Sequence, residues 1–554
     1  MDKDKIYLNL TYINLIIFIL YSLFISFFSN ESLPFHVTDF KNYNLFFNIN
    51  FKFPYLLDKP LGEDAFYLIL AASNFSEGKG LIGNFREPIT GIQPLIVFIY
   101  AAIIKLLTGF GFQEIIFLRI ITFFNSILVI LFSINLYKIS SLFLSNENKK
   151  LNFILTLIFT LFSFHIYRMF LYGLETGLYL VLLTYFVYFF LKIKNLNKFS
   201  ILDAFKLGLI IGLTGLARID FGVFYLCILI FSFINFKIEN FKNLIFSGAI
   251  GFIIVFFWLY YVFSISGNFI PSSGSAQSLL INSENYISRI IEMISSVAQN
   301  LFSTVYIFGL NINNFLVTYF GINNTFLNKI TSNLPTSRFY LSLFSIMSFI
   351  LIISIGNKDK ILLYLKEFKE VLFSIIILIL IYLIFFWPEH FYKRYSSIFL
   401  VFSIPLVVII FCELIKKIRF QSELLLFLNT LIVLLFFIFS YQSYFNGRIS
   451  NLQVITASNV DSNKFNKIGS FQSGVFGYVH RNVINLDGKA NFEILSYIKD
   501  NNIDEYLKRN QDIDLIIDWP VYINKYISKN YLNNNWKLCI DEEHMRAIGY
   551  CRIN

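Results

Sequence analysis

Apolar runs of roughly twenty residues recur along almost the whole chain, and the gaps between them alternate between lysine-rich and lysine-poor. About 20 apolar residues are what a helix needs to cross a bilayer, and in lipid only helices and closed barrels satisfy their own backbone groups. The runs lack the alternation over about 10 residues that marks barrel strands, so the chain is read as a polytopic helical membrane protein. Composition agrees: of 554 residues, 56% are hydrophobic and only 14% charged, with a mean hydropathy of +0.64. The net charge of +10 does not mark a nucleic-acid binder, because the basic residues sit between apolar runs, where the positive-inside rule puts them. Membrane lipids are the expected surroundings, and no nucleic-acid partner is expected.

The first run, 7 to 28, is too long for a signal-peptide core and lacks a small-residue cleavage site, so it reads as an uncleaved span with the N-terminus inside. A long first loop follows, 29 to 114. Its apolar piece, Pro94 to Leu107, is short for a crossing and reads as a helix lying at the membrane surface. A second crossing there is the alternative, and it inverts everything downstream. Charge decides between the two. With that piece outside, the next spans fall at 115–137, 151–170, 176–191, 204–217, 219–235, 243–264, 338–355, 371–387, 396–412 and 423–440. The inner gaps then read KISSLFLSNENKK, KIKNLNK, KIENFK, GNKDKILLYLKEFKE and ELIKKIRFQSE, each rich in lysine. The expectation is about eleven spans, N-terminus in and C-terminus out. The polar stretch 268–337 is assigned outside, with an interfacial helix over the moderately apolar 301–320.

Residues 1–445 therefore form a membrane domain, and 446–554 turn soluble in composition. That tail mixes strand-like runs (514–518, 536–540 and 546–551) with a helical stretch at 491–501, which predicts a small extracytoplasmic α/β domain. Cys539 and Cys551 flank a short turn there and can pair in an oxidising compartment. Cys227 and Cys412 lie in apolar runs and read as packing residues.

The outer gaps carry an unusual set of ionisable residues. The first loop holds Glu63 and Asp64 side by side, in LGEDAFYLILAASNFSEGKG. The later outer gaps add Arg168 and Glu175, Arg218 and Asp220, and the run Glu389, His390, Lys393, Arg394. Charges at membrane depth are costly enough to be suspects for function. Each also has a plain reading: the acid pair caps the helix starting at Ala65, the Arg–acid pairs pin helix ends, and the cations anchor headgroups. Taken together, acids and arginines on one face match what a glycosyl phosphate needs. Cations hold the phosphate, and a carboxylate takes a proton from an acceptor hydroxyl.

These stretches resemble the polyprenyl-phosphate-sugar-dependent glycosyltransferases of the GT-C superfamily, in particular the branch with the mycobacterial terminal arabinofuranosyltransferase. EDAFYLILAASNFSEGKG followed by TGIQPL is similar to that branch's first-loop pattern. GLETGL, ARID, GNFIPSSGSAQ, KRY and NLDGKANFE follow in the same order as its later motifs. The resemblance implies a GT-C-like fold and an integral protein of the bacterial inner membrane, its active site and tail facing outward. It implies Asp64 as general base with Glu63 beside it, Glu175 as a second acid, and Arg394 as a ligand of the donor phosphate, a role in which the charges of Arg218 and Lys393 on the same face are expected to help. Asp220, Asn74, Thr90, Gln93, Pro271, Ser272, His390 and Tyr395 would line the substrate pocket. Departures are Gln277 where relatives often have Lys, Ser272 and Ser273 where they have Asn-Thr, and Ile96 where a Trp often stands.

The expected activity is transfer of a hexosyl or pentosyl group from a polyprenyl-phosphate donor to a hydroxyl of a glycan, lipid or protein, with inversion at the anomeric carbon. A transporter or flippase for a lipid-linked sugar is the alternative, with a non-catalytic scaffold as a third reading. No cofactor is required by the sequence. The acids can take a divalent cation, but no His or Cys cluster supports a fixed metal site.

Overall fold

The computed structural model describes residues 3–30, 53–86, 88–194, 199–235, 238–279, 286–301, 336–385, 393–445, 452–541 and 547–553. In chain order the membrane part contains α1 (Lys3–Phe27), α2 (Ala65–Ser76), α3 (Pro94–Gly109), α4 (Glu114–Ser141), α5 (Lys149–Leu161), α6 (Phe164–Leu171), α7 (Thr176–Lys194) and α8 (Ile201–Ala217). It continues with α9 (Phe221–Asn235), α10 (Ile238–Ser266), α11 (Ser272–Leu279), α12 (Tyr286–Leu301), α13 (Thr336–Ile355), α14 (Lys358–Phe385), α15 (Lys393–Lys416) and α16 (Gln421–Phe445).

Seven of the described helices are long and apolar enough to cross a bilayer, or up to eight if α5 and α6 make one span. The expected run 151–170 is thus broken: α5 and α6 meet at 61°, with the Ser163 side chain capping the start of α6. At 17 and 15 residues, α8 and α9 fall short of the about 30 Å hydrocarbon core at 1.5 Å per residue. The short apolar piece of the first loop is a helix, as expected. One face of α3 is buried through Ile96, Val97, Tyr100 and Ile104, and the Tyr100 hydroxyl donates to the Gly173 carbonyl at 3.0 Å. Most of the expected interfacial helix at 301–320 lies outside the described residues.

Close helix contact is set by small residues, as is common where lipid supplies no hydrophobic drive between helices. Gly208 and Gly212 of α8 face Ile250 and Ile254 of α10. Gly251 of α10 in turn meets Ile211. This seats the C-terminal end of α8, and with it Arg218.

One expected inner loop is largely helix. GNKDKILLYLKEFKE enters α14 at Lys358, since its lysines, glutamates and leucines are strong helix formers. Its charges are used at that end: Lys194 pairs with Glu370 at 2.9 Å and Glu367 at 3.4 Å, and Lys360 pairs with Glu413 at 2.6 Å. Three of the expected inner gaps therefore meet. The same three helices carry Glu175 before α7, Tyr382 near the end of α14 and Arg394 at the start of α15. The lysine-rich end and the end bearing the candidate site are opposite ends of the same helices.

The tail forms a five-stranded sheet in the order β2-β1-β3-β5-β4. The strands are β1 (Lys467–Ser470), β2 (Val483–Asn485), β3 (Ile513–Asp518), β4 (Trp536–Asp541) and β5 (Ile548–Arg552). β1 is parallel to β2 and β3, whereas β5 is antiparallel to β3 and β4. Side chains of β3 alternate between two cores, Ile516 on one face and Leu515 with Ile517 on the other, as a strand covered on both sides requires. Three strands and the Ile494–Lys499 helix coincide with expected runs. The short β1 and β2 were not anticipated. Cys539 and Cys551 are disulfide-bonded. Val454, Val475 and Tyr478 of the tail join the hydrophobic core of the membrane part, so the tail packs on that part directly.

Candidate active site

The turn before α2 is held by the Gly62 N–H donating to the Tyr172 carbonyl at 2.9 Å. Asp64 occupies the N-cap of α2, yet its backbone is helical (φ −61°, ψ −23°) and its carboxylate makes no capping bond. Its Oδ2 instead accepts from a terminal nitrogen of Arg394 at 3.0 Å. The neighbouring Glu63 faces the tail, its Oε1 accepting from the Gly474 N–H at 2.7 Å. An ideal Cβ on Gly474 would lie 2.3 Å from the Glu63 carbonyl oxygen, which is why the approach needs glycine. Tyr67, one turn on, accepts from the Ser473 N–H at 3.0 Å and from the Asn485 side chain at 3.3 Å.

Arg394 is braced from behind by Arg218. That guanidinium binds Asp220 through two nitrogens, at 3.2 and 2.6 Å, donates to the Arg394 carbonyl at 3.4 Å and contacts the Tyr382 hydroxyl, which also donates to Asp220. It lies between the Tyr179 and Tyr395 rings. The plain reading of Arg218 and Asp220 as a structural ion pair is realised, and the pair sits directly under the site. The Glu175 carboxylate acts electrostatically on both Arg218 and Arg394.

A third cation comes from the tail. Lys489 is ion-paired with Asp487 at 3.1 Å, and its charge is felt at Glu63 and Asp64. Its carbonyl accepts from the Ser272 hydroxyl at 2.8 Å, while the Ser272 N–H donates to the Thr90 hydroxyl at 3.3 Å. A Cβ at Gly91 would lie 2.0 Å from that carbonyl oxygen and 2.6 Å from the Ser272 hydroxyl. First loop, α11 and tail thus interlock at one point beside the acid pair.

The two adjacent acids are driven to opposite protonation states. Burial, then the Asp64 charge, pushes the Glu63 carboxyl up to about 8, against the opposing pull of Lys489 and the Gly474 N–H. Burial also opposes ionisation of Asp64. There the Arg394 guanidinium, Lys489 and a hydrogen bond from Glu63 prevail and hold the carboxyl below its usual range. Asp487 beside Lys489 keeps that ammonium charged.

The remaining expected residues divide in use. Asn74 closes its own loop, donating to the Ile82 and Gly83 carbonyls at 2.9 and 3.2 Å. Gln93 occupies the N-cap position of α3 without a capping bond, its side-chain oxygen buried with no hydrogen-bond partner among the described residues. The Pro271 carbonyl accepts from Ser275 at 3.0 Å and opens α11. The Tyr395 hydroxyl accepts from Gln277 at 3.1 Å and lies 3.5 Å from Arg394. Lys393 adjoins Arg394, its carbonyl accepting from Asn300 at 2.9 Å. His390 and Glu389 lie outside the described residues. Tyr67, Tyr382 and Lys489 were not anticipated as site residues. Lys489 stood inside the quoted NLDGKANFE run, and its basic charge in an otherwise polar turn was the available signal.

Among the described residues no three His, Cys, Asp or Glu side chains meet. The acid pair would offer a divalent cation two carboxyls, one of them already bound by Arg394, with Lys489 close by.

No protein-family model matches the chain, and no curated protein matches it by sequence. Solved structures do. ArnT from Cupriavidus metallidurans bound to undecaprenyl phosphate aligns over 97% of this chain and 98% of that chain, with a TM-score of 0.52 at 10% identity. The apo form of the Archaeoglobus fulgidus oligosaccharyltransferase aligns over 92% of this chain and 69% of that one, with a TM-score of 0.51 at 14% identity. The form of that enzyme tethered with an acceptor peptide gives a TM-score of 0.50 at 12% identity, over 99% and 74%. At these identities the likeness is one of fold: this chain has the GT-C-like architecture, a polytopic helical membrane protein with a small C-terminal α/β domain.

Proposed function

We propose that this protein is a membrane glycosyltransferase that moves a sugar from a polyprenyl-phosphate carrier to an acceptor hydroxyl. The observation that carries the reading is the ionised Asp64 held against Arg394, with neutral Glu63 beside it, at one end of the helix bundle. The shared fold supports it, since a structure of that fold was solved with undecaprenyl phosphate bound. The Cys539–Cys551 disulfide supports a tail, and hence a site, facing the oxidising exterior of a bacterial inner membrane.

In this reading the acceptor oxygen attacks the anomeric carbon as the bond from that carbon to the phosphate oxygen breaks. The polyprenyl phosphate departs with the bonding electrons, Asp64 takes the acceptor proton, and a single displacement inverts the anomeric centre. Arg394 binds the donor phosphate. Its release from Asp64 on donor binding makes the carboxylate a stronger base when it is needed. Arg218 positions Arg394 through its backbone. Glu175 is the second acid of the site, Lys393 adds positive charge, and Thr90, Gln93, Ser272 and Tyr395 shape the pocket. No step is routed through a metal. The order of the matching motifs favours a relative of the arabinofuranosyltransferase branch, with a glycan, lipid or protein as acceptor.

The test supplies purified protein with radiolabelled polyprenyl-phosphate pentoses and hexoses and with candidate acceptors. Formation of a new glycoside is expected. In proteoliposomes, movement of the labelled donor across the bilayer without any glycoside would overturn the reading in favour of a flippase.

A further inference from the structure

A phosphodiester donor brings one negative charge, and the phosphate monoester it leaves carries up to two. One guanidinium matches the first of these. A second cation is needed where the second charge develops, because a buried unpaired charge is costly.

The tail supplies one. The loop from Asn485 to Asn491 is pinned on all sides: the Asp487 carboxylate accepts from the Lys489 N–H at 2.9 Å, Asn485 accepts from the Ala490 N–H at 3.3 Å, and the Asn491 side chain donates to the Asn485 carbonyl at 3.0 Å and the Tyr506 hydroxyl at 3.1 Å. Ser272 fixes the Lys489 carbonyl. The backbone of Lys489 is therefore rigid. Among the described residues Asp487 is the only direct partner of its ammonium, and an ammonium has three donors. The side chain is 35% exposed, as is that of Asp64, while Arg394 is 24% exposed. Lys489 and Arg394 thus approach Asp64 from different parts of the chain, and both side chains are part-exposed.

We propose that Lys489 is a donor-phosphate ligand contributed by the C-terminal domain, which meets the charge that develops on the phosphate as the sugar leaves, while Arg394 meets the charge already present. Asp487 is its positioning residue. The inference rests on the polyprenyl-phosphate reading above and assigns the tail a direct part in the site.

The experiment measures binding of undecaprenyl phosphate, and separately of its methyl phosphodiester, to the full-length protein in detergent. Wild type is compared with Lys489→Ala, Lys489→Arg and Asp487→Asn. Lys489→Ala keeps the backbone contacts to Ser272 and Asp487, so the fold is expected to persist, which thermal unfolding checks. The expected result is a loss of roughly tenfold or more in affinity for the monoester, a smaller loss for the diester, partial recovery in Lys489→Arg, and an intermediate loss in Asp487→Asn. Equal binding by wild type and Lys489→Ala would overturn the proposal while leaving the polyprenyl-phosphate reading intact. Equal losses for both ligands would reduce Lys489 to a structural residue. No binding by wild type would instead sink the polyprenyl-phosphate reading, and this inference with it.

Discussion

Glu63 and Gly474, 411 positions apart, are joined by a 2.7 Å hydrogen bond from the Gly474 N–H to the Glu63 carboxyl. Through it the C-terminal domain touches the residue next to the proposed base. The domain is thereby part of the electrostatic environment of the site, and several measurable consequences follow from that.

Asp64→Asn removes the proposed base but retains the shape of the side chain. Transfer activity is expected to fall by about 10² to 10⁴, with the thermal unfolding of the purified protein close to that of wild type. An active Asp64→Asn enzyme would assign the base elsewhere.

Arg394→Ala removes the cation closest to Asp64. The expected outcome is a rise of roughly tenfold or more in KM for the polyprenyl-phosphate donor, with the acceptor KM changed far less. Steady-state kinetics with each substrate varied in turn measures it. Unchanged donor kinetics would leave Arg394 as a headgroup anchor.

Glu63 ionises near 4.5 as a free side chain and near 8 in the folded protein, so folding takes up a proton between those values. Its contribution to stability is fully present below about pH 4.5 and is lost as pH rises through about 8. Melting temperature in detergent should therefore decline across that window, and Glu63→Gln should decline less. Parallel curves for the two proteins would show that Glu63 is not protonated in the fold.

Gly91→Ala places a methyl group 2.0 Å from the Lys489 carbonyl oxygen. The tail loop has to move, at a cost of about 1 to 3 kcal/mol. Lower melting temperature, faster proteolysis of the tail and reduced transfer are expected together. A variant indistinguishable from wild type in all three would mean that the interlock is not rigid.

Replacing Cys539 and Cys551 by serine opens a crosslink spanning 12 positions and is expected to destabilise the tail by about 2 to 4 kcal/mol. The pair also reports sidedness, since Cys227 and Cys412 are buried. In intact cells a membrane-impermeant maleimide should label the protein only after reduction. Failure to label after reduction would place the tail inside.

Much of the scaffold was legible because a bilayer imposes its own pattern. The apolar runs 115–137 and 176–191 became α4 and α7, and lysine-rich gaps as far apart as KIKNLNK and ELIKKIRFQSE ended at one end of the bundle. What escaped was local competition within that pattern. The run 151–170 reads as one span, but Ser163 caps a new helix and breaks it. GNKDKILLYLKEFKE reads as a loop by charge, yet its charges pair with other helices, so α14 continues through it. The tail strands β1 and β2 are only 4 and 3 residues long, too short for alternation to show.

The acid pair marks the same boundary. By itself the sequence determined a helical membrane protein with its unusual charges at one end, because lipid penalises every exposed backbone group and every unpaired charge. It also brought Asp64 and Arg394 forward as candidates. Only the tertiary structure decided which of the two adjacent acids is ionised. That depends on a guanidinium, an ammonium and a backbone N–H brought to within hydrogen-bonding or Coulombic reach from residues 394, 489 and 474, and no pattern along the chain encodes such distances.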